Sequence, residues 1–178
     1  TDGTILNSTF HGQYKIPFYR KEIRKDVTPN IMEDQIKKEL LEHQETIEQV
    51  TSYQVKKIEL VALALVACYR KGGKMVLFGN GGSAADAQHI AGEMMGRFKM
   101  ERKAMPAIAL TPNSAIVTAI GNDYGFEYIF ERQVDALVDS RDVVVGISTS
   151  GNAENVSRGH KKAKEKGATT IAFTGKTG

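Results

Sequence analysis

The sequence predicts an α/β fold: a parallel sheet flanked by helices, with further helices on its N-terminal side. Three observations predict it. Short β-prone runs at Lys74–Phe78, Ala107–Leu110, Val143–Ile147 and Thr169–Phe173 alternate with longer stretches of helical period. The run Val143–Ile147 is apolar without a break, the pattern of a strand covered on both faces. Two of the runs pass through turns rich in glycine or hydroxyl side chains directly into a helical stretch. Strand, helix and strand in that order imply right-handed βαβ units.

Residues 1–30 stand apart. Gly3, Gly12, Pro17 and Pro29, with Phe10, Tyr14, Phe18 and Tyr19 close together, show no period and read as an irregular arm before a folded domain over residues 31–178. Asn30 is expected to cap the first helix, with Glu33 three residues on as its capping-box partner. Met32, Ile36, Leu40, Ile47 and Val50 then recur at helical spacing. A second helix is expected from about Ser52 to Arg70. Leu60, Leu63 and Val66 widen its apolar stripe, which predicts burial within the domain or in a subunit contact. Gly72-Gly73 ends it, and the strand Lys74–Phe78 follows. Helices are expected over 83–97, Ser114–Ile120, Phe126–Val138 and Ala153–Lys166, the last stopped by Gly167. The final strand runs into a loop at 175–178, so the helix expected to cover it would lie beyond Gly178.

The chain has 178 residues, 41% hydrophobic and 25% charged, near the globular average. The longest apolar run, Leu60–Cys68, has nine residues, where a membrane span needs about 20. No basic segment followed by an apolar block marks a signal peptide. The net charge of +3 comes from 24 basic and 21 acidic side chains. Arg20–Lys25 and His160–Lys166 are the densest basic stretches, but both contain Glu and read as solvated surface. Neither nucleic acid nor membrane is an expected partner. The one cysteine, Cys68, lies in an apolar helical stretch and reads as a buried hydrophobe. The expected compartment is the cytoplasm.

Four motifs carry chemistry. Gly79-Asn80-Gly81-Gly82-Ser83 joins a strand to a helix, where glycines admit a ligand close to the backbone and the helix N-terminus favours an anion. The looser dinucleotide pattern is met at Gly79, Gly81 and Ala84. However, the acid expected after the next strand is absent, since Thr111-Pro112-Asn113 stands there. A tight turn without a ligand is the other reading. Ile147-Ser148-Thr149-Ser150-Gly151-Asn152 offers three successive hydroxyls after a buried strand, an arrangement suited to phosphate. His89 and Glu93 are four residues apart on the helix after the glycine turn and share a face; they could bind a metal or share acid/base work. Asp86 either shares that face or favours the helix N-terminus. Gly121-Asn122-Asp123-Tyr124-Gly125 is a turn by composition, and could equally set Asn122 and Asp123 into a cleft against sugar hydroxyls. His11, His43 and His160 lie in surface-like contexts.

These motifs, in this order and spacing over about residues 31–178, resemble the sugar isomerase (SIS) domain family and, within it, the sedoheptulose 7-phosphate (phosphoheptose) isomerases. The resemblance implies a flavodoxin-like α/β sandwich and a homotetramer with active sites between subunits. It implies conversion of sedoheptulose 7-phosphate to D-glycero-D-manno-heptose 7-phosphate, the first step towards the heptose of lipopolysaccharide or capsule. It implies that Ser148, Thr149 and Ser150 bind the phosphate and that Asn80, Gly81, Gly82, Ser83, Asn122 and Asp123 line the sugar site. His89 and Glu93 would be zinc ligands in members that bind zinc, with Glu93 also the catalytic base. The family's remaining ligands, a Gln and a His, would lie beyond Gly178, and a chain ending there is expected to lack isomerase activity. Where the family usually has a further Ser, this chain has Ala153, a loss of about 0.5–1.5 kcal/mol from one hydrogen bond. The DnaA initiator-associating protein is similar in fold and motifs, but lacks the carboxylate at the position of Glu93. A sugar-phosphate-sensing domain would keep the Ser148–Ser150 loop and need no Glu93.

Overall fold

The computed structural model describes residues 29–175. The arm expected over residues 1–30, His11 with it, lies outside the described residues except for Pro29 and Asn30. The described residues divide into two units, with the boundary between Gln54 and Val55.

The first unit contains helix α1, Pro29–Tyr53. It starts at Pro29, so Asn30 lies within the helix and not at its cap. Proline suits a first helical turn because its missing N–H is not needed there. Ile36, Leu40 and Ile47 are exposed, and Lys37 pairs with Glu33 one turn away at 2.7 Å.

The second unit holds helix α2 (Val55–Arg70), strand β1 (Met75–Gly79), helix α3 (Gly82–Met95) and strand β2 (Ala107–Ala109). Helix α4 (Ser114–Asp123), a 3-10 turn at Phe126–Tyr128 and helix α5 (Glu131–Leu137) follow, then strand β3 (Val143–Ser148), helix α6 (Glu154–Glu165) and strand β4 (Thr169–Thr174). The four strands form one sheet in the order β2-β1-β3-β4, and every pairing is parallel. The single helix expected over Phe126–Val138 is thus a 3-10 turn and a short helix.

Two apolar clusters sandwich the sheet. Alternation along the strands decides which residue joins which. Val76, Phe78 and Val144 face Leu110, Phe130, Val134 and Val156 on one side. Met75, Leu77, Val143 and Val145 face Cys68, Ala87 and Ala91 on the other. Helix α2 joins the second cluster through Ala64, Leu65 and Tyr69, while Leu60, Leu63 and Val66 stay exposed. Among the described residues nothing buries this part of the stripe. In β4, Ala172 and Phe173 are exposed. At the N-terminal edge the buried Asp142 carboxylate accepts from the Lys74 N–H at 2.9 Å, the Lys74 ammonium at 2.6 Å and the Asp139 N–H at 2.9 Å, tying β1 to β3.

His160 is half-buried and not a solvated surface residue. Its ring meets Phe78 edge-on at 5.7 Å, and its Nε2 is buried with no hydrogen-bond partner. Burial, then the charge of Lys164, holds the imidazole below its usual value. The unfolded chain, with histidine near 6.5, therefore binds the proton more readily. Stability is complete above about pH 6.5 and declines as pH falls below it. We expect the thermal midpoint to fall between pH 7 and pH 5, and to fall less in His160→Gln. Equal slopes would remove His160 from the acid response.

Candidate active site

The sheet order makes β1 and β3 neighbours whose connections leave in opposite directions, β1 towards β2 and β3 towards β4. At such a switch point the carboxyl ends of the strands open a crevice between two loops, where open α/β sheets bind ligands. Here the two loops are Gly79–Gly82 and Ser148–Asn152, the two motifs singled out from sequence.

The strand register sets them side by side, with Gly79 opposite Ile147. Gly81, at φ 55, takes a backbone conformation that favours glycine and starts α3. The Ser83 and Ala84 N–H groups donate to the Asn80 and Gly81 carbonyls, each at 3.0 Å, closing the turn. On the second loop Ser148 is buried, while Thr149 and Ser150 are exposed. The Gly151 N–H donates to the Ser148 carbonyl at 3.0 Å and the Asn152 N–H to Ser150 Oγ at 3.2 Å. The loop is thereby curled, with its hydroxyls at the strand end. Ala153 occupies the N-cap of α6 and supplies no side-chain bond to it.

Asn155 joins the loops, and nothing local in the sequence marks it. An Asn in a first helical turn is common for local backbone bonding, and its partner lies 75 residues earlier. Asn80 Nδ2 donates to Asn155 Oδ1 at 2.9 Å, and Asn155 Nδ2 donates back to Asn80 Oδ1 at 3.0 Å.

His89 and Glu93 lie on α3 as the spacing predicts. His89 Nε2 is 3.4 Å from Glu93 Oε1, and both side chains reach solvent. That separation is the edge of a tetrahedron with bonds of about 2.0–2.1 Å, the zinc distance for imidazole and carboxylate. Among the described residues no group of three or more His, Cys, Asp or Glu could hold a metal. The pair fits part of a zinc site, and the described residues do not complete one.

Arg102 is a second residue that sequence reasoning missed. Its guanidinium donates to the Glu93 carbonyl at 2.7 Å and to the Met94 carbonyl at 2.9 Å, satisfying the open end of α3. Lys99, at φ 58, helps turn the chain back for this contact. Arg102→Ala should lower stability by about 1–2 kcal/mol in urea unfolding, because two charge-assisted bonds are lost from a partly exposed site. An unchanged midpoint would mean that water caps the helix equally well.

Asn122 and Asp123 form the last turn of α4, not a loop, and Asn122 Nδ2 donates to Asp123 Oδ1 at 2.8 Å on an exposed surface. Among the described residues no hydrogen bond ties Asn122, Asp123, His89 or Glu93 to either loop.

Comparison with known proteins agrees with this geometry. The sequence model of the SIS domain matches residues 40–175. The phosphoheptose isomerase of Aquifex aeolicus is 64% identical over 118 residues, which cover 66% of this chain and 62% of that protein, under two thirds of its length. The phosphoheptose isomerase of Geotalea uraniireducens is 54% identical over 147 residues, covering 83% of this chain and 78% of that one. The structure of phosphoheptose isomerase GmhA from Neisseria gonorrhoeae superposes with a TM-score of 0.77 at 40% identity, covering 83% of this chain and 77% of that one. A phosphoheptose isomerase from Francisella tularensis gives 0.78 at 37% identity, covering 82% and 76%. With its parallel sheet, its paired loops and these relatives, the chain belongs to the SIS domain family, alongside the phosphoheptose isomerases.

Proposed function

We propose that this chain carries the SIS domain of a sugar-phosphate isomerase that converts sedoheptulose 7-phosphate to D-glycero-D-manno-heptose 7-phosphate, for the heptose of lipopolysaccharide or capsule. The observation that carries the reading is the pairing of a hydroxyl-rich loop with a glycine-rich loop across one switch point, in a chain 54% identical to a phosphoheptose isomerase.

Each part has a chemical task. Ser148, Thr149 and Ser150 supply hydroxyl and N–H donors for the phosphate. Asn80, Gly81, Gly82 and Ser83 follow the sugar, with Asn122 and Asp123 towards its hydroxyls. Moving a carbonyl by one carbon requires that a proton leave one carbon and arrive on the next through an enediol. Glu93, a carboxylate open to solvent on α3, is the base that carries it. His89 and Glu93 would hold zinc together with ligands from outside the described residues. Such an ion, when bound, polarises the substrate oxygens.

The site draws on more than one subunit. Glu93 lies eleven residues after Gly82, about 16 Å along the helix axis at 1.5 Å per residue. We therefore place the reacting centre between subunits of a homotetramer, where Glu93 of one chain meets the loops of another. The exposed Leu60, Leu63 and Val66 of α2 favour such an assembly.

The test is to incubate the full-length protein with sedoheptulose 7-phosphate and follow the aldose by NMR. Turnover supports the reading. Binding without turnover would replace it with a sensing role, and the absence of both binding and turnover would overturn it.

A further inference from the structure

We propose that Asn155 is a positioning residue whose carboxamide, bonded reciprocally to that of Asn80, sets the spacing between the loop facing the sugar and the loop facing the phosphate. The inference rests on the proposed function, which makes both loops parts of one ligand site.

The geometry supports it at three points. First, Asn155 is 4% exposed, and a buried amide must satisfy its polar atoms. It does so across the switch point, at 2.9 and 3.0 Å, with a residue of the other loop. Second, its orientation is set by chemistry. The Val156 N–H donates to Asn155 Oδ1 at 2.9 Å, and an N–H can address only the oxygen of the amide. With that oxygen placed, the Asn155 Nδ2 must face Asn80 Oδ1, and the Asn80 amide has one arrangement that answers both. Third, the clasp is anchored on each side. Asn155 sits in the first turn of α6, directly behind the Ser148–Asn152 loop. Asn80 sits between β1 and α3, and its carbonyl accepts the Ser83 N–H.

Asn80 is thereby more than a residue beside the sugar. Its Oδ1 and one Nδ2 hydrogen are taken by Asn155, which leaves the second Nδ2 hydrogen as its remaining donor. A sugar phosphate must touch both loops at once, so its affinity depends on their spacing. Inorganic phosphate touches one loop and depends on that spacing less.

The test is a double-mutant cycle on the full-length protein in a Glu93→Gln background, which slows turnover. Dissociation constants for sedoheptulose 7-phosphate and for inorganic phosphate are measured by calorimetry. We expect Asn155→Ala to weaken the sugar phosphate about 10-fold, in the range of coupled hydrogen-bonding neighbours. Phosphate alone should weaken less. Asn80→Ala, Asn155→Ala should be no worse than the poorer single variant. Asn155→Asp keeps an oxygen for Val156 and Asn80 Nδ2 but sets a charged acceptor against Asn80 Oδ1 in place of the donor, and should weaken the sugar phosphate at least as much as Asn155→Ala. It also serves as the reporter if the alanine variant does not fold. A purely structural role would lower the thermal midpoint of Asn155→Ala and leave the affinity of the folded protein unchanged, overturning the proposal. Single effects that multiply in the double variant would overturn it as well. A parent protein that binds no sugar phosphate would instead overturn the proposed function.

Discussion

Glu93→Gln should slow isomerisation by orders of magnitude while leaving the fold intact. Glutamine keeps the shape of glutamate but cannot take a proton at neutral pH. Removal of a general base lowers turnover by about 10²–10⁴-fold, and a kcat loss of roughly 10³-fold is expected. The fold should not respond, because the Glu93 side chain pairs with an exposed His89 at 3.4 Å, and an exposed pair is worth about 0–1 kcal/mol. The Glu93 carbonyl bonded to Arg102 belongs to the backbone and is retained. The thermal midpoint measured beside the kinetics should match wild type. A kcat within about tenfold of wild type would remove Glu93 as the base.

Gly79→Ala should damage stability and binding together. A Cβ at this position would stand 2.7 Å from Ser83 Cβ, 2.8 Å from the Ile147 carbonyl oxygen and 3.0 Å from the Ser83 carbonyl carbon. Two of these neighbours are backbone atoms and cannot rotate away. Overpacking of this kind costs about 2–3 kcal/mol, and relief requires the end of β1 to move off β3. That movement separates the loops on which a ligand depends. Urea unfolding should show the lower stability, and titration with sedoheptulose 7-phosphate should show at least about tenfold weaker binding. Wild-type behaviour in both would mean that the turn absorbs a methyl group and that the close approach of the strands has no part in the site.

Much of this architecture is legible in the sequence because its signals are local. Val143–Ile147 reads as a buried strand from its unbroken apolar run, and the structure extends it by one residue to Ser148. Gly79–Ser83 reads as a strand-to-helix turn because Gly81 meets a backbone requirement that few residues meet. His89 and Glu93 share a face by helical arithmetic alone. What sequence reasoning missed depends on long-range contact. Asn155 has no local signature because its partner is 75 residues away. His160, followed by two lysines, reads as surface, yet its ring makes a T-shaped contact with Phe78. The glycines at 121 and 125 suggest a turn, but α4 continues to Asp123, with the Asn113 side chain capping its start by accepting the Ile116 N–H. The stripe of α2 is legible as apolar, whereas its exposure at Leu60, Leu63 and Val66 is not.

The central claim is that Glu93 carries a proton between adjacent carbons of a sugar phosphate. It is tested most directly by running the reaction of the full-length protein in D2O. A carboxylate base exchanges its proton with solvent, so the aldose formed from sedoheptulose 7-phosphate should carry deuterium at C2, and Glu93→Gln should form it roughly 10³-fold more slowly. An aldose without solvent deuterium, formed equally fast by Glu93→Gln, would contradict the account.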